Sequence, residues 1–171
     1  FGRALSTKKS EERCDIVRLE AMSRLDLGLL IGRLFTGYWF LSAALIKIFQ
    51  RNFLFSDALL SSLNLFLAGP GPNWYKVFLS DVVIPNLRLF AWLDVAAELS
   101  VGIGVLLGLW TRASCLVALF LVLNYLSAKG FANPQAGLDK VFIALILLLY
   151  LGHAGRVLGV DGWRFRRAAG G

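Results

Sequence analysis

The stretch that decides the fold is LRLFAWLDVAAELSVGIGVLLGLW, residues 87–110. It is apolar over a length that can cross a bilayer, yet it contains two acids, Asp94 and Glu98. Residues four apart share one face of a helix, and a face with two acids is too costly to point at lipid. The stretch therefore predicts a membrane-spanning helix whose acidic face points into a bundle.

Three further apolar segments extend this prediction to the whole chain, which is 57% hydrophobic and only 17% charged over 171 residues. Soluble domains are nearer 45–50% apolar and about 25% charged. The other predicted spans are residues 27–49, 113–128 and 138–154. They are continuous rather than alternating, which favours helices over barrel strands. The expected fold is all-α, a bundle of four transmembrane helices.

The residues outside the spans divide the chain into a tail, a membrane domain and a second tail. Residues 1–26 form a charged tail with an amphipathic helix, residues 27–161 the membrane domain, and residues 162–171 a basic tail. Between the first two spans, residues 54–67 have apolar positions at helical spacing and predict an interfacial helix. Trp74 and Tyr75 follow it and suit the membrane interface.

The distribution of basic residues predicts the orientation. The side that holds the termini has eleven Lys and Arg, against six on the other side. Basic residues are enriched in cytoplasmic loops, so both termini are expected on the cytoplasmic, matrix or stromal side. A bacterial inner membrane, an organellar inner membrane and a thylakoid membrane all fit.

Four ionisable residues fall inside the predicted spans and need partners or a purpose. Counting about 1.5 Å per residue pairs Arg33 with Glu98 and Lys47 with Asp94. One interpretation is structural, in which buried ion pairs set the helix register. The other is a proton relay or a polar pocket for a quinone. The network could also include residues at a depth close to that of Glu98, namely Asn124 and Tyr125.

Glycines supply a second pattern. Gly28 and Gly32 form a small-x-x-x-small pair on the first span, and Gly104 belongs to a similar run on the second. Such positions let helix backbones approach closely. The sequence predicts helix packing at these glycines, within the chain or against a partner subunit.

The residue counts limit the cofactor chemistry. With one His and two Cys, the chain cannot supply two His to a haem or four Cys to a zinc or iron–sulfur site. His153 is interpreted as a hydrogen-bonded residue rather than a ligand, and Cys115 as a small buried one. No metal site and no catalytic residue are predicted. Nucleic-acid binding is not predicted either, because the membrane topology explains the excess of basic residues.

Three motifs identify a family resemblance. Residues 33–37 (RLFTG) with 47–49 (KIF), residues 98–102 (ELSVG) with 108–112 (GLWTR), and residues 152–156 (GHAGR) with Asp161 resemble the DoxX/DoxD-like membrane proteins. The resemblance covers about residues 27–161 and implies a four-helix membrane bundle. Besides the charged positions named above, it carries over these motif residues: Gly37, Gly108, Thr111, Arg112, Gly155 and Arg156.

The resemblance also implies a role near electron transfer, because the family includes a subunit of a thiosulfate:quinone oxidoreductase. We therefore expect a non-catalytic accessory subunit of a larger respiratory or photosynthetic complex. Its expected partners are membrane lipids and other subunits. We expect no covalently bound or metal-ligated cofactor; a quinone or a structural lipid is the expected small-molecule ligand. The alternative is a quinone-linked oxidoreductase component with a polar intramembrane pocket.

Overall fold

The protein is helical throughout the part of the chain that the computed structural model describes, residues 24–49, 53–55 and 57–169. In chain order the helices are α1 (Arg24–Phe49), α2 (Ala58–Ala68), α3 (Asn73–Phe78), α4 (Leu87–Leu107), α5 (Thr111–Lys129), α6 (Gly137–Leu151) and α7 (Val160–Ala169). A π-helical turn, Leu79–Val83, follows α3. Short 3-10 turns, Pro134–Ala136 and Ala154–Arg156, lie before and after α6. The all-α prediction is confirmed.

Four of these segments are long and apolar enough to cross a membrane: α1, α4, α5, and α6 with the 3-10 turn before it. The predicted four spans are therefore confirmed, with shifted ends. The second span ends at Leu107 rather than at residue 110, because Gly108 adopts φ +65° and stops the helix. The amphipathic helix predicted in the N-terminal tail, residues 1–26, lies outside the described residues except for its last three, which begin α1.

The four spans form a ring in which each helix contacts two neighbours. The most extensive contact is between α1 and α4, followed by α5 with α6, α4 with α5, and α1 with α6. Consecutive spans run antiparallel. The α4–α5 connection is tightest, since only residues 108–110 separate the two helices.

Valine, cysteine and leucine-type side chains fill the centre of the ring together with the rings of Phe40 and Phe142. Val101, Val105 and Cys115 are fully buried, as are Ile146 and Leu149 of α6. Many large apolar side chains outside this core are instead exposed. This arrangement, the reverse of a soluble protein, presents an apolar surface to lipid.

Two glycines bring α1 and α4 into backbone contact. A Cβ atom on Gly37 would lie 2.7 Å from the backbone nitrogen of Leu106. Across the same interface, a Cβ atom on Gly102 would lie 2.7 Å from the backbone nitrogen of Leu41. Any side chain at either position would push the two helices apart, so glycine sets their separation.

The glycines predicted to pack closely behave differently from one another. Gly32 faces the side chains of Leu145 and Leu149 on α6, and Gly104 faces Ser114 across the α4–α5 turn. Gly28 is exposed, and a Cβ atom there would meet no described atom within 4 Å. Gly32 and Gly104 thus lie against neighbouring side chains, whereas Gly28 makes no close contact within the described bundle, and its packing against a partner subunit stays a prediction.

The connection between α1 and α4 covers one end of the bundle. We call residues 58–83, which comprise α2, α3 and the π-helical turn, the cap. Leu63 of α2 and Tyr75 of α3 pack with Ala128 near the end of α5. The predicted helix between the first two spans is confirmed, although it begins at Ala58 rather than at residue 54.

Candidate functional site

Four side chains from three helices meet in the half of the bundle nearest the cap, and we call them the acid–lysine cluster: Lys47, Asp94, Glu98 and Tyr125. Lys47 Nζ lies 2.6 Å from Asp94 Oδ2 and 2.8 Å from Glu98 Oε2. Tyr125 Oη lies 2.6 Å from Asp94 Oδ1 and 2.8 Å from Glu98 Oε1. One turn of α4 separates the two acids, so both face α1 and α5.

The cluster is buried and carries more acid than base. The side chain of Glu98 is only 4% exposed, and those of Lys47 and Asp94 are 18% and 19% exposed. Lys47 Nζ and Glu98 Oε2 are within ion-pair distance, but this buried oxygen has no hydrogen-bond partner of good geometry among the described residues. Such a site can hold a proton or accept a hydrogen bond from a ligand hydroxyl.

Aromatic residues of the cap region enclose the cluster. The Phe53 ring centroid lies 5.3 Å from Lys47 Nζ, and that of Tyr125 lies 5.5 Å away. The Tyr75 hydroxyl donates to Asn124 Oδ1 at 3.2 Å. Burial, assisted by the negative charge of Asp94, raises the pKa of Tyr75 to about 12, so this hydroxyl remains a donor.

The predicted network is therefore only partly assembled. Lys47, Asp94, Glu98 and Tyr125 come together, and Lys47 pairs with both acids rather than with Asp94 alone. Asn124 bonds to Tyr75 and to the Phe120 carbonyl instead of joining the cluster. Sequence reasoning missed Phe53 and Tyr75. The aromatic residues near the predicted interface were the available signal, but their inward direction was not visible in the sequence.

Arg33 does not pair with Glu98, so that prediction is wrong. Its guanidinium donates to the carbonyls of Ala154 at 3.0 Å, Val157 at 2.7 Å and Leu158 at 3.4 Å. The turn after α6 brings these carbonyls to the buried cation; of the three, the Ala154 carbonyl also accepts the backbone N–H of Val157 at 3.2 Å. Arg33 is 2% exposed and acts at the end of the bundle opposite the cap.

That opposite end holds a second cluster, which we call the corner: Arg33, Gly108, Thr111, Gly155 and Asp161. Asp161 Oδ1 accepts a hydrogen bond from the Trp110 backbone N–H at 2.9 Å, and Oδ2 accepts one from Thr111 N–H at 2.8 Å. The backbone N–H of Asp161 donates to the Gly108 carbonyl at 2.9 Å. Asp161 thus caps α5 from fifty residues away.

Glycines make the corner possible because the chain segments touch. A Cβ atom on Gly108 would lie 2.7 Å from the Cα of Gly159 and 2.8 Å from Arg33 Nη1. A Cβ atom on Gly155 would collide with Thr111 Oγ1 and lie 2.6 Å from Asp161 Oδ2. Motif residues from three separate parts of the sequence therefore meet in the corner.

The comparisons with known proteins agree with this arrangement. A protein-family model described as DoxX matches residues 28–132, which include the whole acid–lysine cluster and the α4–α5 turn. The chain belongs to the DoxX family. No curated protein matches this DoxX chain. No solved structure matches it either. Gly155 and Asp161 lie beyond the matched region, so the corner joins the family domain to the segment that follows it.

The remaining sites predicted from the DoxX motifs lie at or near the corner. Arg112 is exposed, and its guanidinium stacks 4.9 Å from the Tyr150 ring centroid. Arg156 lies in the 3-10 turn after α6, and its side chain is outside the described residues. A cleft of about 230 Å³ opens beside Arg112, lined also by His153 and Asp161.

The other two residues considered for cofactor chemistry have ordinary surroundings. His153 Nδ1 lies 2.9 Å from the Leu151 carbonyl oxygen. Cys115 is buried in the core of the bundle with a free thiol, and burial makes it a packing residue. Among the described residues, no group of three or more His, Cys, Asp or Glu side chains is arranged to hold a metal.

Proposed function

We propose that this DoxX protein is an accessory subunit of a membrane electron-transport complex, respiratory or photosynthetic, without a cofactor of its own. One observation carries the proposal: the interior charges are engaged with partners elsewhere in the same chain. Lys47 joins α1 to α4, Arg33 joins α1 to the turn after α6, and Asp161 joins α7 to α5. Each of these contacts ties two separate helices or turns together, as a scaffold requires, and loss of one partner would leave a buried charge unpaired.

The outer surface supports the same proposal. Phe35 and Trp39 of α1 lie exposed beside Phe142 of α6, with the Phe35 and Phe142 rings stacked at 5.9 Å between centroids. Aromatic residues are enriched in protein interfaces, and here two exposed rings of α1 pack against a buried ring of α6. Other membrane subunits and lipids are the partners that this apolar surface suits.

Purification in a mild detergent tests the proposal. The tagged chain is expected to co-purify with subunits that show haem or iron–sulfur absorbance, and its deletion should disassemble that complex. A tagged Trp39→Ala chain, which keeps the interior charges unchanged, is expected to recover less of the complex. A monomeric chain, in cells whose electron transport is unaffected by its deletion, would contradict the proposal.

The orientation is part of this proposal: both termini lie on the cytoplasmic, matrix or stromal side of a bacterial inner, organellar inner or thylakoid membrane. The excess of basic residues on that side supports it. A fluorescent protein fused after residue 171 is expected to fluoresce and to resist protease added from the opposite side. Digestion of the fusion from that opposite side would overturn the orientation.

A second candidate function is binding of a quinone in the acid–lysine cluster, as part of a quinone-linked oxidoreductase resembling thiosulfate:quinone oxidoreductase. The observation that favours it is Glu98 Oε2, a buried acceptor that receives no hydrogen bond from a described residue. A quinone, when bound, accepts electrons and protons. The role of this chain would be to accept a hydrogen bond from the reduced hydroxyl at Glu98 Oε2.

Binding of a short-chain ubiquinone analogue to the purified protein tests this second candidate. Glu98→Gln is expected to weaken binding at least about tenfold, because the amide can present its NH2 group in place of the oxygen that accepts the ligand hydroxyl. Asp139→Asn is the matched control, since Asp139 pairs with Lys129 outside the cluster. Equal binding by the wild type and Glu98→Gln would exclude the role of Glu98.

A further inference from the structure

The hydroxyl of Tyr125 stands between two carboxyl groups and has one proton to give. Its oxygen lies 2.6 Å from Asp94 Oδ1 and 2.8 Å from Glu98 Oε1. Oxygen atoms at these distances are held by a hydrogen between them. A phenol supplies a single donor, so it can satisfy only one of the two contacts. The other contact needs a proton from another source.

Lys47 does not supply that proton. Its ammonium contacts the far oxygen of each carboxyl group, Asp94 Oδ2 at 2.6 Å and Glu98 Oε2 at 2.8 Å. Its contact with Tyr125 is a donation to the hydroxyl oxygen at 3.2 Å. None of these contacts places a lysine proton between Tyr125 and either of the two carboxyl oxygens that face it.

The charges of the neighbouring groups lead to the same conclusion. With both acids ionised, the cluster would carry one uncompensated negative charge in a buried site, which is costly. The neutral residues Tyr75 and Asn124 face it from α3 and α5. Lys129 of α5 and Asp139 of α6 form a separate ion pair near the cap, with 2.8 Å between Nζ and Oδ2. In the described ranges, Lys47 alone lies within ion-pair distance of either acid.

We propose that the acid–lysine cluster binds one proton at neutral pH, carried on the Glu98 carboxyl group. Glu98 Oε1–H then donates to Tyr125 Oη, and the Tyr125 hydroxyl donates to Asp94 Oδ1. Lys47 neutralises the ionised Asp94, so the cluster has no net charge. This inference goes beyond the proposed accessory role and does not depend on quinone binding. It assigns to the bundle a proton-binding site that a redox partner can load or empty.

Infrared spectroscopy of the purified full chain in lipid tests the proposal. At neutral pH the wild type is expected to show the carbonyl stretch of a protonated carboxylic acid, shifted in heavy water. Asp94→Asn and Glu98→Gln are each expected to abolish the band, because Lys47 then faces one carboxylate and no further proton is needed. Lys47→Met is expected to double the band, because neither acid is then neutralised.

Asp139→Asn is the control, since it removes a carboxyl group from the other ion pair and should leave the band unchanged. The wild-type spectrum tests the proposal even if a variant misfolds. Absence of the band from the wild type would overturn the proposal. A band of full size in folded Asp94→Asn and Glu98→Gln chains would overturn it as well, because the proton would then reside elsewhere.

Discussion

At the scale of single residues, the contact between α1 and α4 depends on two glycines, which have no side chain to separate the helices. Gly37 and Gly102 each lie against the backbone of the opposite helix, at Leu106 and Leu41, which cannot move aside without shifting that helix. The Lys47 pair with Asp94 and Glu98 lies at the same interface. A change in helix separation there would alter the geometry of the charges as well as the packing.

Gly37→Ala is expected to lower the free energy of unfolding by about 1–3 kcal/mol, because overpacking forces α4 to shift. Unfolding in a mixed detergent, followed by circular dichroism, measures this. Gly28→Ala is the matched control on the same helix, since its Cβ atom meets no described atom and alanine favours helix. Equal losses in the two variants would show that the Gly37 contact does not set the helix spacing.

At the scale of elements, the sequence predicts that the spans exist better than it predicts where they end. The spans were predictable because continuous apolar runs of bilayer length have few other folds. Their ends were not, because the end of α4 and the start of α5 depend on Asp161, a distant residue. The predicted Arg33–Glu98 pair is not formed because counting depth along straight helices ignores the turn after α6, whose carbonyls at Ala154, Val157 and Leu158 accept the guanidinium.

The Tyr75–Asn124 hydrogen bond attaches the cap to α5. Tyr75→Phe is expected to lower the free energy that holds the cap closed by about 1 kcal/mol. The rate of amide hydrogen exchange should rise in α2 and α3, while the amides of the spans stay protected. Trp74→Phe is the control, because Trp74 is 65% exposed next to it. Exchange that is unchanged in Tyr75→Phe would mean that apolar packing alone holds the cap.

The raised pKa of Tyr75 predicts how the stability of the cap changes at alkaline pH. Burial first, and the charge of Asp94 second, raise the pKa of Tyr75 from its ordinary value of 10.0 to about 12. An unfolded tyrosine therefore ionises before the folded one. The stability supplied by this group is complete below about pH 10 and is lost as the pH rises toward about 12. Tyr75→Phe should remove this part of the alkaline loss of cap protection, and an identical loss in both chains would refute the assignment.

At the scale of the whole molecule, the corner closes the bundle. Arg33 belongs to the first span and Asp161 to the last helix, and both contact the α4–α5 turn or its neighbours. The acid–lysine cluster lies near the other end, beneath the cap. The bundle is thus fastened at both ends by polar contacts between helices, with an apolar centre between them.

Arg33→Met is expected to lower the free energy of unfolding by at least about 1.5–3 kcal/mol, because buried carbonyls lose a charged donor. Trypsin should also cleave α7 faster, since the turn before it is released. Arg112→Met removes an exposed arginine nearby and is expected to cost less than about 1 kcal/mol. Similar cleavage rates in the two variants would contradict the role of Arg33 as the closing residue.

The cap that Asp161 places on α5 has a consequence for biosynthesis. The first N–H groups of α5 have no capping side chain from Trp110. Asp161 is added fifty residues after Thr111, and at about 5–20 residues per second the ribosome needs roughly 3–10 s to reach it. During that interval α5 lacks the cap that Asp161 supplies. Closure of the corner is therefore a late event in membrane insertion, and a chain whose corner has closed has been translated at least as far as residue 161.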